Sequence, residues 1–422
     1  MDKIKIYGGK PLRGTVQVSG SKNAALPILI ASLLTDQDCQ FESVPQLQDI
    51  RTVLRLLAHL GCRVEADLDK NTVRMNCGEI TTLEAPYDLV RTMRASVVVL
   101  GPLLARFGQA KVSLPGGCAI GARPINYHLS GLERLGAEIR LENGYVIGSA
   151  QKLKGNRIVF EFPSVGATEN VLMAATLAEG ESLLENCAKE PEVVDLARAL
   201  RSMGAEIEGE GTEVIRVQGK SSLHGTTYRV MGDRVEAGTF LAAGLATRGA
   251  VRVEGLDPEV LEAVLVKFED AGARIHREPN AITLEAWSRL QGTDFTTLPY
   301  PGFPTDMQAQ FMAAMTVAEG ASLITETIFE NRFMHVSELA RLGADITIRG
   351  HTALVRGQEK LQGAPLMATD LRASASLIIG GLCAQGETIV NRIYHLDRGY
   401  EKVEQKLREL GADIVRIKSE EN

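Results

Sequence analysis

A short phrase recurs six times along the chain and constrains its architecture more than any other feature. It reads as an apolar residue, a glycine, a small residue or cysteine, and then an alternating strand. The copies are Leu60-Gly61-Cys62-Arg63-Val64, Leu135-Gly136-Ala137-Glu138-Ile139, Met203-Gly204-Ala205-Glu206-Ile207, Ala271-Gly272-Ala273-Arg274-Ile275, Leu342-Gly343-Ala344-Asp345-Ile346 and Leu410-Gly411-Ala412-Asp413-Ile414. Their glycines lie 75, 68, 68, 71 and 68 residues apart. Each glycine follows an amphipathic helical pattern, as over 193–203 or 400–410. Glycine suits that place because the residue after a helix wants a left-handed backbone. A second, more apolar helix is expected in each unit, over 23–34, 92–107, 168–178, 235–247, 307–318 and 371–384. These patterns lack a wide polar face, so the helices are expected to lie buried. The expected unit is helix, strand, helix, then a hairpin of strands, and the fold class is α/β.

The last unit stops soon after 414–418, without its remaining strands. The segment Tyr7-Gly8-Gly9-Lys10-Pro11-Leu12-Arg13-Gly14 parallels Arg356-Gly357-Gln358-Glu359-Lys360-Leu361-Gln362-Gly363 and Gln218-Gly219-Lys220-Ser221-Ser222-Leu223-His224-Gly225. Residues 1–21 are therefore expected to complete the sixth unit. That predicts two three-unit domains, one over 22–229 and the other over 1–21 plus 230–422. Two crossings between domains suit hinge closure over a cleft. An open solenoid is the alternative, but periods near 70 with buried helices disfavour it.

Composition narrows the function. A chain of 422 residues holds two or three domains. Its net charge of −7 argues against a nucleic-acid or membrane-surface protein, which usually carries a basic face. No apolar run approaches the ~18 residues of a membrane span. The first seven residues alternate like a strand and carry no signal-peptide block. The six cysteines are scattered and form no C-x-x-C pair, and the seven histidines show no H-E-x-x-H. A reduced, cytoplasmic protein is expected, with neither a disulfide framework nor a zinc site.

One connection breaks the regular spacing. From the glycine after the buried helix to the capping glycine, the spans Gly180–Gly204, Gly249–Gly272, Gly320–Gly343 and Gly386–Gly411 are 24, 23, 23 and 25 residues. Gly108–Gly136 spans 28. The extra residues fall in Leu114-Pro115-Gly116-Gly117-Cys118-Ala119-Ile120-Gly121-Ala122-Arg123-Pro124, and a lengthened glycine-rich loop on a regular scaffold is where function tends to sit. A thiol with an ordinary pKa of about 8.5 is mostly protonated at neutral pH, so Cys118 is able to donate a proton or to attack. The bland reading is a small inert hydrophobe beside a surface turn at Arg123-Pro124. The inserted loop and the adjacent arginine favour the functional one.

Polar residues also collect where strands hand over to the buried helices. They are Ser21-Lys22-Asn23, Arg91 and Arg94, Ser164-Val165-Gly166-Ala167-Thr168-Glu169, Asp233-Arg234, Thr305-Asp306 and Asp370-Leu371-Arg372. Helix N-termini bind anions, and six such mouths around two pseudo-threefold axes are expected to face one cleft. Arg332 and Arg398 precede outer helices and are expected to reach the same place. Taken singly, Ser164, Thr168, Asp233 and Asp306 read as caps or first-turn acids, and Lys22 as a solvated lysine. Their repeated placement is what carries the functional reading.

These residues resemble the UDP-N-acetylglucosamine enolpyruvyl transferases. The likeness covers essentially the whole chain. It lies in the loop 115–124, Ser21-Lys22-Asn23, Pro301-Gly302-Phe303-Pro304-Thr305-Asp306, Asp370-Leu371-Arg372-Ala373 and Asp397-Arg398-Gly399-Tyr400. The resemblance implies two inside-out α/β barrel domains of three repeats each, in agreement with the repeat count. It implies transfer of the enolpyruvyl group of phosphoenolpyruvate to the 3-hydroxyl of UDP-N-acetylglucosamine with loss of phosphate, the first committed step of peptidoglycan synthesis. Cys118 would protonate the methylene carbon and form a phospholactoyl adduct, and the epoxide fosfomycin would label it. Asp306 would take the hydroxyl proton. Lys22, Asn23, Arg123, Arg372 and Arg398 would hold phosphoenolpyruvate, Lys22 and Arg398 being catalytic as well. Asn23, Arg94, Arg123, Pro124, Ile125, Asn126, Tyr127, Ser164, Val165, Gly166, Asp306 and Ile328 would hold the nucleotide sugar. Asp233, Arg332 and Asp370 would support them. No cofactor or metal is implied. Two departures fall in the nucleotide pocket. Many members have Arg-Pro-Val-Asp-Leu where this chain has Arg123-Pro124-Ile125-Asn126-Tyr127, and some have lysine where it has Phe162. The rival readings are a shikimate-pathway enolpyruvyl transferase and a catalytically silent nucleotide-sugar-binding regulator.

Overall fold

Six four-stranded sheets, all built by one connection rule, carry the fold among the described residues of a computed structural model (2–91, 93–114 and 125–418). A buried helix leads to a strand, an outer helix and a two-stranded hairpin. The next strand then leaves its own sheet and pairs, in parallel, with the neighbouring one. Glu84–Ala85 joins Gln109–Ser113, and Arg157–Val159 joins Glu181–Glu185. Thr226–Arg229 returns to Asp38–Glu42 and closes the ring of three. The second ring repeats the pattern, with Phe295–Thr296 on Ala321–Thr325 and Pro365–Met367 on Glu387–Asn391.

The N-terminal residues contribute to two sheets of the second ring. Lys3–Tyr7 lies between Glu387–Asn391 and Asp413–Ile417, antiparallel to both, where every other sheet has the last strand of its hairpin. Arg13–Gln17 does not stay with it. It pairs in parallel with Ala250–Glu254, a different sheet, because the connection rule sends each edge strand onward.

The six buried helices are α1 (Lys22–Ala31), α2 (Leu100–Phe107), α3 (Val165–Ala175), α4 (Arg234–Ala246), α5 (Gln308–Met315) and α6 (Leu371–Cys383). Every residue of α4 is buried, as is all of α1 except Asn23. Such helices have no solvent face to satisfy, which is why their sequences show no polar stripe. The outer helices do show one. Gln48–Leu60 buries Ile50, Val53, Leu54, Leu56, Leu57 and Leu60 and leaves its other face to water. The six repeated glycines all have positive φ, from 92° at Gly411 to 113° at Gly61, a backbone that costs side-chain-bearing residues about 1–2 kcal/mol.

Two compact units result. One takes the described residues of Met1–Ser19 and Gly232–Asn422, and the other takes those from Gly20 to Met231, so the crossings fall two residues outside 22–229. Each has its own apolar core. In the unit that contains Gly232–Asn422, α5 and α6 pack on each other and on α4. No described helix is long and apolar enough to cross a membrane.

One cysteine expectation is corrected. Cys62 and Cys77 are joined as a disulfide, with Cα atoms 4.3 Å apart. The pairing Arg63↔Asn76 ends the hairpin just inside them, so they are the next facing positions. Register across a hairpin, rather than spacing along the chain, brings them together.

Candidate active site

Asp306 is held in place by three independent devices. It sits in a short 3-10 turn, Thr305–Met307, that runs into α5. Just before it, Phe303 packs its ring 4.3 Å from Phe295 and 5.6 Å from Phe311, all three buried in the core. Glu326, 1% exposed, pins the same turn from the other side. Its carboxylate accepts from the hydroxyls of Thr305 (3.0 Å) and Thr297 (2.9 Å) and from the backbone N–H groups of Ile328 (2.8 Å) and Phe329 (3.2 Å). Ile328 is thereby fixed beside the turn that carries Asp306.

The two oxygens of Asp306 meet two different arginines. Arg332 Nη2 lies 2.8 Å from Oδ1 and Arg372 Nη2 lies 2.8 Å from Oδ2. Both arginines are 5% exposed, whereas the Asp306 side chain keeps 27% of its surface. A half-buried carboxylate therefore stands on a buried cationic platform. Arg372 donates also to the hydroxyl of Tyr400 (3.2 Å), which Gln310 Nε2 reaches at 3.2 Å and the Thr239 hydroxyl at 2.9 Å. Burial opposes charge on Arg372, but Asp306 and Tyr400 outweigh it and hold the guanidinium above its ordinary range.

The neighbouring acids do different work. Asp233 caps α4 through Val235 N–H (2.8 Å) and Glu236 N–H (2.9 Å), and its charge is felt at Arg372 and Tyr400. Asp370 caps α6 through Arg372 N–H (2.9 Å) and Ala373 N–H (3.0 Å). Arg398 is half-buried at the end of the 3-10 turn Ile393–Arg398. Asp397 beside it is engaged by Arg416, at 3.1 and 2.5 Å.

The unit from Gly20 to Met231 holds a second set. Ser21 caps α1 by accepting from Ala24 N–H (3.3 Å), which places Lys22 at the first helical position and half-buried Asn23 at the second. Lys22 is not a solvated lysine. Its Nζ lies 3.4 Å from Asp49 Oδ2, with side chains 11% and 6% exposed. Ser164 caps α3, accepting from Ala167 N–H at 3.4 Å, and Val165 and Gly166 form its half-buried first turn. Thr168, expected at that mouth, is instead inside α3 and accepts from Ala188 N–H (3.1 Å). Half-buried Arg94 opens the 3-10 turn before α2, and its charge reaches His128. Asn126 is exposed at the start of the helix Asn126–Arg134, between half-buried Ile125 and Tyr127. Phe162 is exposed. Cys118, Arg123 and Pro124 lie outside the described residues.

Comparison with known proteins places this arrangement. The family model described as EPSP synthase (3-phosphoshikimate 1-carboxyvinyltransferase) matches residues 6–407. The chain belongs to this family of enolpyruvyl transferases. It is similar to the UDP-N-acetylglucosamine 1-carboxyvinyltransferase of Nitratidesulfovibrio vulgaris strain Hildenborough, 59% identical over 417 residues that span 99% of each chain. The protein of the same name from Trichlorobacter lovleyi is 58% identical over 418 residues, again 99% of each. Among solved structures, the enolpyruvyl transferase NikO from Streptomyces tendae superposes with a TM-score of 0.88 at 26% identity, covering 98% of each chain. EPSP synthase from Acinetobacter baumannii, at 18% identity, a TM-score of 0.76 and coverage of 99% of this chain and 100% of its own, shares the fold.

Sequence reasoning missed several residues that organise this enolpyruvyl transferase. Asp49 holds Lys22, Tyr400 and Gln310 brace Arg372, and Glu326 sets the turn of Asp306. Tyr400 stood in the motif beside Arg398 without a role. Asp49, Gln310 and Glu326 come from segments with no motif signal, and only the folded chain brings them to their partners.

Proposed function

We propose that the chain transfers the enolpyruvyl group of phosphoenolpyruvate to the 3-hydroxyl of UDP-N-acetylglucosamine, the committed step into peptidoglycan, in the cytoplasm. The chemistry is supported by one observation, the Asp306 carboxylate held between buried Arg332 and Arg372. The acceptor rests on the printed name of relatives 56–59% identical over nearly the whole chain.

In the addition step Cys118 gives its proton to the methylene carbon of phosphoenolpyruvate. The sugar oxygen bonds to the adjacent carbon and its proton goes to Asp306. In the elimination step the methyl group returns a proton to the Cys118 thiolate left by the addition, the carbon–oxygen bond to phosphate breaks with its electron pair leaving on the phosphate, and the enol ether is restored. Lys22, Arg123, Arg372 and Arg398 hold the phosphate and carboxylate, and fixed cations of this kind stabilise charge where water is excluded. Asn23, Arg94, the segment 123–127, the turn 164–166 and Ile328 hold the nucleotide sugar. Asp233, Arg332 and Asp370 support the set.

A phosphate-release assay with phosphoenolpyruvate tests the reading. Release is expected with UDP-N-acetylglucosamine and not with shikimate 3-phosphate, and Cys118→Ala is expected to abolish or severely impair it. Release only with shikimate 3-phosphate rejects the acceptor. Nucleotide-sugar binding without any release identifies a silent regulator instead.

A further inference from the structure

In each of the six sheets an antiparallel strand pair follows the repeated glycine, so the six can be compared position by position. The residues of interest face each other just beyond the last strand pairing, beside that glycine. In five sheets alanine stands at the first place and alanine or glycine at the second, as in Ala137 with Ala150 and Ala344 with Gly357. The remaining sheet has Cys62 and Cys77 there, and they are bonded to each other. Their Cα atoms are 4.3 Å apart, close to the about 4.5 Å of a facing pair that exchanges no backbone hydrogen bonds. The N–H of Cys62 accordingly turns to the Leu57 carbonyl, at 3.0 Å. Cys39, Cys187 and Cys383 are free, and burial raises all three thiols, the last two to about 12. Buried thiols of that kind are inert.

The bond joins elements that the backbone alone leaves separate. Cys62 follows the outer helix Gln48–Leu60 by two residues, and Cys77 follows the strand Thr72–Asn76. Ser32, at the C-terminal end of α1, places its Oγ 3.4 Å from Cys77 Sγ. Arg106 of α2 donates to the carbonyls of Cys77 (2.8 Å), Leu33 (3.0 Å) and Thr35 (2.8 Å), so the same place gathers the end of α1 as well. The outer helix and α1 pack on each other, and at their other ends Asp49 meets Lys22. An ion pair and a sulfur bond thus fasten the two helices at opposite ends. The cover over the sulfurs is thin. Gly78, Glu79 and Thr81 are exposed, and the N–H groups of Thr81 (2.9 Å) and Thr82 (3.3 Å) hold the segment to the single carbonyl of Leu60. A segment of this kind opens locally at small cost.

We propose that Cys62 and Cys77 are a reversible redox site, exchanged by a dithiol reductant, whose state sets how tightly the outer helix Gln48–Leu60 is held to α1. The proposal does not depend on the acceptor of the enolpyruvyl group. In the cytoplasm proposed for this chain, a disulfide is ordinarily a transient or sensing one, because dithiol systems there keep thiols reduced. Cys62 is 4% exposed and Cys77 is fully buried, so the reductant's thiolate attacks Cys62 Sγ once the segment 78–82 lifts. The sulfur–sulfur bond breaks, and its electron pair leaves on Cys77, which takes up a proton beside the Ser32 hydroxyl. The reductant's second thiolate then displaces Cys62 from the mixed disulfide. The products are two protein thiols and the reductant's own disulfide, and the same steps in reverse re-form the bond. The bond spans 15 residues, and losing it frees the unfolded chain and loosens the end of the outer helix.

The test compares the full-length protein with the double variant Cys62→Ala/Cys77→Ala, which copies the Ala137–Ala150 pair of a sister sheet and so keeps a shape the fold already uses. Both are equilibrated, folded, with reduced or with oxidised dithiothreitol, then quenched in acid, unfolded and alkylated for peptide mass mapping. In the parent, Cys62 and Cys77 are expected to be linked after the oxidised buffer, alkylated after the reduced one, and linked again when the buffer is exchanged back. The linked form should melt about 5–10 °C above the reduced form. Amide hydrogen exchange over residues 51–62 should be at least about tenfold faster in the reduced form, with residues 232–418 unchanged. The variant should melt with the reduced parent in both buffers. It keeps Cys118, so an effect of the buffers on that thiol appears in both proteins. Alkylation of both cysteines in every buffer would overturn the proposal by showing that no bond forms. A bond that yields to dithiothreitol only in urea would overturn it as a permanent crosslink. A melting shift of equal size in the variant would place the effect elsewhere and overturn it too.

Discussion

Three aspartates stand at mouths of buried helices, and two of them serve as caps. Asp233 and Asp370 spend a carboxylate oxygen on two backbone N–H groups each, the ordinary work of a cap. Asp306 lies inside its turn, whose cap position Pro304 holds, and its side chain meets Arg332 and Arg372. Asp306→Asn keeps the shape and removes the charge between the two arginines. Turnover is expected to fall by about 10²–10⁴, the usual contribution of a positioned acid or base, while far-ultraviolet circular dichroism stays unchanged. A kcat within threefold of the parent would remove Asp306 from the role of base. Lys22 was open to a bland reading in the sequence, as a solvated lysine. Its contact with Asp49, from an outer helix, is what makes it a fixed buried cation.

At the scale of elements, the segment 295–307 shows how packing reaches the site. Its sequence is rich in proline and glycine and looks like a plain loop. Phe303 and Phe295 turn it into part of the core by packing edge-on against Phe311 of α5 and at a tilt against each other. Phe303→Ala should therefore cost about 3–5 kcal/mol of stability, the range for emptying an aromatic core position. It should also lower kcat, because Asp306 stands three residues on. Urea denaturation followed by intrinsic fluorescence or circular dichroism measures the first, and a loss below about 1 kcal/mol would mean that the turn is held by Glu326 alone.

At the scale of the whole molecule, His128, His335, Glu169 and Glu236 are buried titratable groups whose effects on stability run in opposite directions with pH. Burial pushes His128 down to about 3 and His335 down to about 4. The unfolded chain takes up these protons near the ordinary value of 6.5 and the folded chain does not. Their contribution is complete above that value and is lost as pH falls toward 4 and 3. Glu169 and Glu236 behave in reverse. Burial pushes Glu236 up to about 7, although Lys406 at 2.7 Å opposes the shift. Burial raises Glu169 well above the ordinary carboxylate range, with help from Glu192 and Glu190. The folded state keeps protons that the unfolded chain would release, so these contributions are complete at acid pH and are lost as pH rises. Glu169→Gln removes one alkaline loss without changing shape. The variant should melt higher than the parent at about pH 8 and no higher at about pH 4. An equal shift at both values would show that its ionisation plays no part.

Local patterns determined much of this protein. The repeated glycines, the two kinds of helix and the six units are short-range features, set by backbone sterics and by which face must meet water, and so they are readable along the chain. The mouths that hold Lys22, Ser164, Asp306 and Arg372 could be read for the same reason, since they recur at one place in each unit. What only tertiary structure decided involves partners far apart in sequence. The strand Arg13–Gln17 leaves the sheet of Lys3–Tyr7 for another, Cys62 meets Cys77 through hairpin register, and Glu326 gathers Thr297, Thr305 and Ile328. His128 meets Asn170 at 3.1 Å, and Asn170 in turn accepts from Gly101 N–H. A hydrogen bond is made by whichever groups the packed chain brings within about 3 Å, and no periodicity in the sequence announces them.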